Sequence, residues 1–379
     1  MQNSWKGKAI VTLAILVVIG GMIFHFFDRS PEQPASSPPE ILQKPIPASS
    51  QNFFSRSQRA ATVRDAASEL NDGAANPLAI PREKIEEYLT LHKRNAASLL
   101  AAYHASGDAD NPVGDINYLK EAATNYPNDP HVQWTVLAHD TFPEDRRKWL
   151  DAFKASSPGN SLANYLSARD YFKNNQPDAA IKELTEASGK TQFADFTMES
   201  YLGGEEISRF GGASPLIANT AAMSAMAGDL LPELTNMKGI AQGVLDMQKQ
   251  YLNSGDTASV QNLSQMSLGL ADRLTSGDGG KFIISQLVGM ATEAIALKSL
   301  DQNTSYDFLG GKTPAQRLEE LKQQKLAFRE LSLNFSSAFI NATEGERASY
   351  TERVKIYGEV AAMRWLQQQH PASVPQGGQ

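Results

Sequence analysis

The stretch "SLANYLSARDYFKNNQPDAAIKELTEAS", Ser161 to Ser188, contains two runs of helix-forming residues. The segment "NNQPD" separates them, and its Pro177 suits the first position of a new helix. Two helices joined by so short a turn must lie side by side as a hairpin. The stretch therefore predicts a pair of packed helices, and the flanking sequence indicates whether that pair is repeated.

A similar pattern precedes this stretch. The segments "NYLKEAATNYPNDP" and "KWLDAFKASSPGNS" align at a spacing of 31 residues. The alignment matches Leu119 with Leu150, Ala122 with Phe153 and Pro127 with Pro158. A period in the thirties with paired helices indicates a helical solenoid, whose units stack because none buries its apolar face alone. The alternative is an ordinary helical hairpin whose spacing arises by chance.

The unit at 161–188 resembles a tetratricopeptide repeat, and the resemblance covers about residues 115–190. Ala168 and Tyr171 stand at its small and aromatic positions in the first helix, and Ala180, Leu184 and Ala187 at the small, bulky and small positions of the second. The sequence departs from the pattern at Asn175, where a turn glycine is common, and near Gln192, where no proline closes the unit. The resemblance implies two or three degenerate repeats.

The resemblance also implies a groove that receives extended peptides. Tyr165, Arg169 and Lys173 lie at i, i+4 and i+8 on the first helix of the unit, so they share one face. An aromatic ring with two cations suits a carboxylate or an acidic segment. These three residues are the candidate peptide-binding face. The alternative is a solvated helix face without a ligand.

The N-terminus predicts a membrane anchor. Residues 9–27, "AIVTLAILVVIGGMIFHFF", contain no charged side chain and span roughly 28 Å as a helix, close to the thickness of a bilayer core. The run is longer than the apolar core of a signal peptide, which remains the alternative, and no small-residue cleavage site follows closely. Lys6 and Lys8 precede it, so residues 1–8 are expected in the cytoplasm and the body outside it, in the periplasm if the cell has two membranes.

The remaining chain divides by composition. Residues 28–56 contain six prolines within 17 positions among Ser, Gln and Glu, which predicts a disordered linker. Residues 57–190 are the helical, repeat-like region, 191–369 a helical C-terminal region, and 370–379 a disordered tail. Alternation of β-branched residues is nearly absent, so the body is predicted to be all-α. One helix is expected between Pro81 and Gly107, and another from Gly345 to Gln369.

Apolar sequence in the C-terminal region predicts a packed core. Residues 280–300 are apolar nearly all round, as in a helix buried among others. Seven of the ten methionines lie between Met198 and Met290, where we expect core filling rather than a pliable binding groove.

Several functions are disfavoured by what the 379 residues contain. The net charge is -7, and -7 - 2 = -9 without Lys6 and Lys8, which argues against binding nucleic acid. There is no cysteine, hence no disulfide and no thiolate site. Two "GKT" triplets lack the first glycine of a phosphate loop. His131 and His139 could share a helix side but have no apparent third ligand, so we expect no metal and no cofactor.

These features predict a single-pass membrane protein whose helical body acts as a scaffold or adaptor for a protein or peptide ligand. No catalytic motif was found, and we expect no enzyme activity. Two alternatives remain open. The first is an enzyme whose site lies unrecognised in the C-terminal region, and the second is a structural envelope protein that associates with copies of itself.

Overall fold

A computed structural model describes residues 79–107, 114–277 and 279–371 of the chain. The predicted anchor and linker, and the tail beyond Pro371, lie outside these residues. The described residues form fourteen α-helices and no strand, which confirms the all-α prediction. No helix within the described ranges is both long enough and apolar enough to cross a membrane.

Short helices make up the first half of this unit. They are α1 (Arg82–Leu91), α2 (Ala96–Ala105), α3 (Ile116–Asn125), α4 (Pro130–Ala138), α5 (Arg146–Ser156), α6 (Leu162–Lys173) and α7 (Pro177–Ser188). Local sequence explains where they start. The Asp129 side chain accepts hydrogen bonds from the backbone N–H groups of His131 and Val132, and Pro130 takes the first position of α4.

Longer helices make up the second half. They are α8 (Thr197–Phe210), α9 (Pro215–Asn253), α10 (Thr257–Ser276), α11 (Ile283–Leu297), α12 (Pro314–Asn341), α13 (Glu344–Tyr357) and α14 (Glu359–Gln369). Thr313 and Thr343 begin α12 and α13 with capping boxes, in which the threonine and the residue three positions later bond each other's backbone.

The prediction of a single helix between Pro81 and Gly107 was wrong, because the helix is interrupted between α1 and α2. Lys93 and Arg94 have φ values of 55° and 47°, which an α-helix does not allow. The Asn95 side chain then accepts the N–H of Ser98 and starts α2. Arg94 donates hydrogen bonds to Glu86 and Glu121, and these tertiary contacts hold the break.

Alternate helices of the first half occupy equivalent places. Helices α2, α4 and α6 begin at 96, 130 and 162, intervals of 34 and 32 residues, and all three pack against the long helix α9. Helices α3, α5 and α7 begin at 116, 146 and 177 and pack on the first set. The matched residues Leu119, Leu150, Ala122 and Phe153 are fully buried at corresponding turns of α3 and α5.

Helix α9 forms the centre of the described unit. It is 39 residues long and contacts α2, α4, α6, α8, α10, α11 and α13. Met226, Met237 and Met247 on α9 are buried, so the expectation of core filling is confirmed for these three. Helix α11 packs between α9, α10 and α12, as its continuous apolar sequence predicts.

The prediction of a single helix from Gly345 to Gln369 was also wrong. The chain turns at Gly358, whose φ of +85° separates α13 from α14. A Cβ atom at this position would lie 3.0 Å from the carbonyl oxygen of Lys281. Glycine is needed here both for the positive φ and for the close approach of the two backbones.

Candidate functional site

Tyr165, Arg169 and Lys173 lie on α6, along the face that turns toward α9 and α10. Tyr165 is only 1% exposed, and its hydroxyl accepts a hydrogen bond of 2.8 Å from Arg273 of α10. Burial raises the pKa of Tyr165, although the charge and hydrogen bond of Arg273 oppose this. The predicted peptide-binding aromatic therefore contacts the chain's own α10.

The two predicted cations, Arg169 and Lys173, differ in their surroundings. The Arg169 guanidinium lies against Gly239 of α9, its Nε has no hydrogen-bond partner among the described residues, and burial lowers its pKa. Lys173 is exposed at the end of the helix, and partial burial followed by the positive charge of Arg169 lowers its pKa. Peptide binding on this face stays a prediction, and access to Tyr165 and Arg169 would require α9 and α10 to move away.

Close approach of α9 to α6 depends on two glycines. A Cβ atom at Gly239 would lie 2.2 Å from Arg169 Nε, and one at Gly243 would lie 2.8 Å from the ring of Phe172. Both distances are shorter than real Cβ contacts allow, so a larger residue would push the helices apart. The two glycines therefore allow α9 to lie close to α6.

Three of the six histidines converge where α2 and α4 meet α8 and α9. His139 Nε2 lies 2.7 Å from Asp229 Oδ1, and His104 Nε2 lies 2.9 Å from Asp229 Oδ2. Ser200 Oγ donates to Asp229 Oδ2 at 2.8 Å, and His131 Nε2 lies 3.2 Å from Ser200 Oγ. We call these five residues the histidine–aspartate cluster.

The hydrogen bonds of this cluster have a defined direction. Ser200 has one hydroxyl proton, and it goes to the Asp229 carboxylate. His131 must therefore donate from Nε2 to the Ser200 oxygen, in the tautomer protonated at Nε2. Burial lowers the pKa of His131 to about 4, so this imidazole is neutral at pH 7.

Asp229 is charged despite being buried. Burial opposes the ionised form, but the charges of His104 and His139 and their hydrogen bonds outweigh it and hold the pKa well below its usual range. Glu233, one helical turn further along α9, behaves in the opposite way. Burial, followed by the charges of Asp195 and Asp229, raises its pKa well above the usual value, and neither carboxyl oxygen has a hydrogen-bond partner among the described residues.

This arrangement joins helices rather than preparing a nucleophile. A catalytic serine needs a base strong enough to take its proton, whereas Ser200 donates to Asp229, whose lowered pKa makes it a weak base, and His131 acts as a donor. In the described part of the chain, no group of three or more His, Asp or Glu side chains is arranged to hold a metal ion. The histidine–aspartate cluster ties α2, α4 and α8 to α9.

Two surface cavities lie away from the cluster, on either side of Tyr357. One of about 620 Å³ lies between the α7–α8 connection, the end of α10 and the α13–α14 corner; Phe193, Gly277, Lys281, Gln286 and Tyr357 line it. The other, of about 490 Å³, is bounded by α8, the start of α9 and the outer face of α13, and Arg209, Pro215, Arg353, Ile356 and Tyr357 line it. Both are open to ligands from solvent.

No protein-family model, no curated protein and no solved structure matches this chain. The functional argument therefore depends on its own residues. Sequence reasoning missed the histidine–aspartate cluster because His104, His139 and Asp229 lie up to 125 positions apart. One signal was present, since "AMAGDLLPEL" places Asp229 and Glu233 in otherwise apolar sequence, where an acid needs a buried partner.

Proposed function

We propose that this protein is a membrane-anchored scaffold that binds another protein through its helical body. The observation that carries the proposal is the regular succession of α2, α4 and α6, which begin 34 and 32 residues apart and share one long partner helix. This spacing is that of a tetratricopeptide-like solenoid, a type of architecture that serves mainly to present binding surfaces. The anchor at residues 9–27 and the extracytoplasmic location of the body are part of the proposal.

Exposed apolar side chains on the C-terminal helices support protein binding. Leu333 on α12 is 67% exposed, and Ile356 and Tyr357 on α13 are 63% and 62% exposed. Leu326 and Ile340 on α12 are exposed as well. Large apolar groups clustered at a surface are typical of interaction sites, since leaving them in water costs free energy that a partner would recover.

The partner protein would bind to the outer surfaces of the C-terminal helices. Helix α9 fills the side of α2, α4 and α6 that a solenoid of this kind would otherwise offer to a ligand. A partner would then meet α12 and α13, whose outer faces carry the exposed apolar groups. Anchoring at the membrane would raise the effective concentration of the scaffold for partners held in the same membrane.

Site-specific photocrosslinking of the full chain in its own membrane tests this function. A photoreactive benzoylphenylalanine replaces Leu333 or Tyr357 in two variants, and Leu91 or Leu252 in two matched controls. Leu91 is 66% exposed and Leu252 43%, on α1 and α9. We expect a crosslinked partner of one defined mass from at least one C-terminal position and none from the controls.

Two results would contradict the scaffold. One is the absence of any crosslinked protein from both C-terminal positions, and the other is an equal set of products from all four positions. The second result would indicate random collision rather than a binding surface.

Self-association is a second candidate, and one observation favours it. Leu326, Leu333 and Ile340 lie seven residues apart, so they form a line along the outer face of α12. Paired helices have two apolar positions in each seven-residue repeat, and this line supplies one of the two. A crosslinked product of twice the chain mass from Leu333 would support this candidate.

An enzyme in the C-terminal region stays an untested alternative. Burial raises the pKa of two carboxyl groups, those of Glu233 and Glu359, but neither residue lines one of the two cavities.

A further inference from the structure

The corner between α13 and α14 packs against neighbouring parts of the fold. Gly358 lies against the backbone of Lys281, and the Glu359 carboxylate accepts the N–H of Ile283 at 2.8 Å at the start of α11. Below the corner, the Tyr350 ring packs 5.1 Å from that of Phe335 on α12. These contacts join the corner and the helix before it to the α10–α11 connection, the start of α11 and α12.

Arg353 is held at this corner by aromatic rings instead of by an acid. Its guanidinium carbon lies 4.5 Å from the centre of the Trp365 ring and 5.9 Å from that of Tyr357. Within the described residues it has no ion pair and no hydrogen bond. A guanidinium that lies over an aromatic ring is attracted to the ring face and still has its N–H groups available as donors.

The neighbouring cations are already neutralised. Arg209 pairs with Glu205 at 2.9 Å, and Lys355 pairs with Glu205 at 2.6 Å and with Glu352 at 2.9 Å. Two of the described cations line the 490 Å³ cavity, Arg209 and Arg353, and of these Arg353 is the one without an acidic partner. An incoming carboxylate would neutralise the charge of Arg353 without displacing an existing ion pair.

Apolar groups lie directly beside that charge. Ile356 and Tyr357 are more than half exposed; both line the 490 Å³ cavity, and Tyr357 also lines the 620 Å³ cavity. Tyrosine, tryptophan and arginine are the residue types that carry most of the binding energy at protein interfaces. We name Arg353, Ile356, Tyr357, Trp365 and the two cavities the corner surface.

We propose that the corner surface binds a segment of a partner protein in which an Asp or Glu adjoins large apolar residues. The carboxylate would form a charge-assisted, two-fold hydrogen bond with Arg353, and the apolar side chains would pack on Ile356 and Tyr357 and enter the flanking cavities. This inference rests on the proposed scaffold function and adds to it the location of the site and the chemistry of the partner.

Peptide selection on the full chain tests the inference. The probe is a library of random twelve-residue peptides displayed on phage, selected against the protein in lipid nanodiscs. We expect enriched peptides to contain Asp or Glu next to aromatic or aliphatic residues. A synthetic peptide of the enriched sequence should lose at least about tenfold in affinity when its acid is replaced by the matching amide, as expected for loss of a charge-assisted contact.

Variants of the protein locate the contact. In Arg353→Gln the acidic peptide and its amide version should bind equally, and Tyr357→Ser should weaken both. Arg82→Gln and Leu91→Ser change an exposed arginine and an exposed leucine on α1, and should leave binding unchanged. Equal thermal unfolding of Arg353→Gln and the wild type confirms that the variant is folded.

Failure of the inference is distinct from failure of the scaffold. The inference is wrong if no peptide is enriched, if the acid is not required, or if Arg353→Gln and Tyr357→Ser leave binding unchanged. It is wrong, while the scaffold stands, if benzoylphenylalanine at Leu333 captures a partner protein equally well when Arg353→Gln or Tyr357→Ser is also present. Absence of a partner at every position contradicts the scaffold itself.

Discussion

His139 and Asp229 lie 90 positions apart in the chain, and their side chains meet at 2.7 Å inside the core. Asp229 is 1% exposed and lies on α9, while His139 ends α4. Because a buried carboxylate without partners is strongly unfavourable, this contact and that of His104 specify how α9 is placed on the first half of the unit.

Removing the Asp229 carboxylate should therefore destabilise the fold. We expect Asp229→Ala to lower the free energy of unfolding by about 3–5 kcal/mol, because it leaves His104, His139 and Ser200 buried without their acceptor. Urea unfolding of the full chain in detergent, followed by the fluorescence of buried Trp134, measures this. Asp246→Ala is the matched control, since Asp246 is exposed on the same helix. Equal effects of the two substitutions would contradict a role of the cluster in stability.

Acidification should weaken the fold through His131. Its pKa is about 4 in the folded protein, below the value of 6.5 expected in the unfolded chain, so the unfolded state binds the proton first. Stability is then lost as the pH falls from 6.5 to 4, by about 3 kcal/mol for this residue.

The variant His131→Gln isolates this effect. Glutamine keeps a donor for Ser200 but does not titrate between pH 4 and 6.5. We expect the variant to have a smaller loss of unfolding free energy than the wild type across this window. Parallel pH profiles of the two proteins would show that His131 is not responsible.

Glu233 should produce the opposite dependence on pH. Its pKa is raised in the folded protein, so the folded state retains a proton that the unfolded state releases as the pH rises above about 4.5. The folded state is therefore penalised at higher pH. We expect Glu233→Gln to gain stability relative to the wild type between pH 5 and 8, measured as the difference in melting temperature. A difference that is constant with pH would argue against a protonated Glu233.

The close packing of α9 on α6 can be tested with glycine substitutions. Gly243→Ala would place a methyl group 2.8 Å from the Phe172 ring, and we expect it to destabilise the fold by about 1–3 kcal/mol. Gly228→Ala is the control on the same helix, where a Cβ atom meets nothing within 4 Å. There the substitution should be neutral or stabilise by up to about 1 kcal/mol, because alanine favours the helix. Thermal unfolding distinguishes the two, and equal destabilisation would contradict the close approach.

Local sequence explains several helix starts and predicted the repeat spacing that relates α3 to α5. The prolines of α4 and α7 and the threonines before α12 and α13 mark starts that depend only on backbone hydrogen bonding within one turn. Local sequence did not predict two interruptions of helices. The break before Asn95 depends on Arg94 reaching Glu121, and the corner at Gly358 depends on the backbone of Lys281.

The candidate face on α6 illustrates the same division. Helical periodicity correctly places Tyr165, Arg169 and Lys173 on one side of α6. It contains no information on what covers that side, and in the structure α9 and α10 approach it through Gly239 and Arg273. Whether a face is open to a ligand depends on residues that are 70 to 108 positions away.

The sequence by itself determined an all-helical body, paired helices at intervals of about thirty residues, and which side of α6 carries its aromatic and cationic residues. These follow from forces between residues within a few turns of one another, namely helix propensity, capping and apolar periodicity. Only the tertiary structure decided that His104, His139 and Asp229 meet, and that Arg353 lies over the ring of Trp365 with no acidic partner among the described residues. The reason is that charges and rings interact through space, and the path of the folded chain alone brings such distant residues within reach.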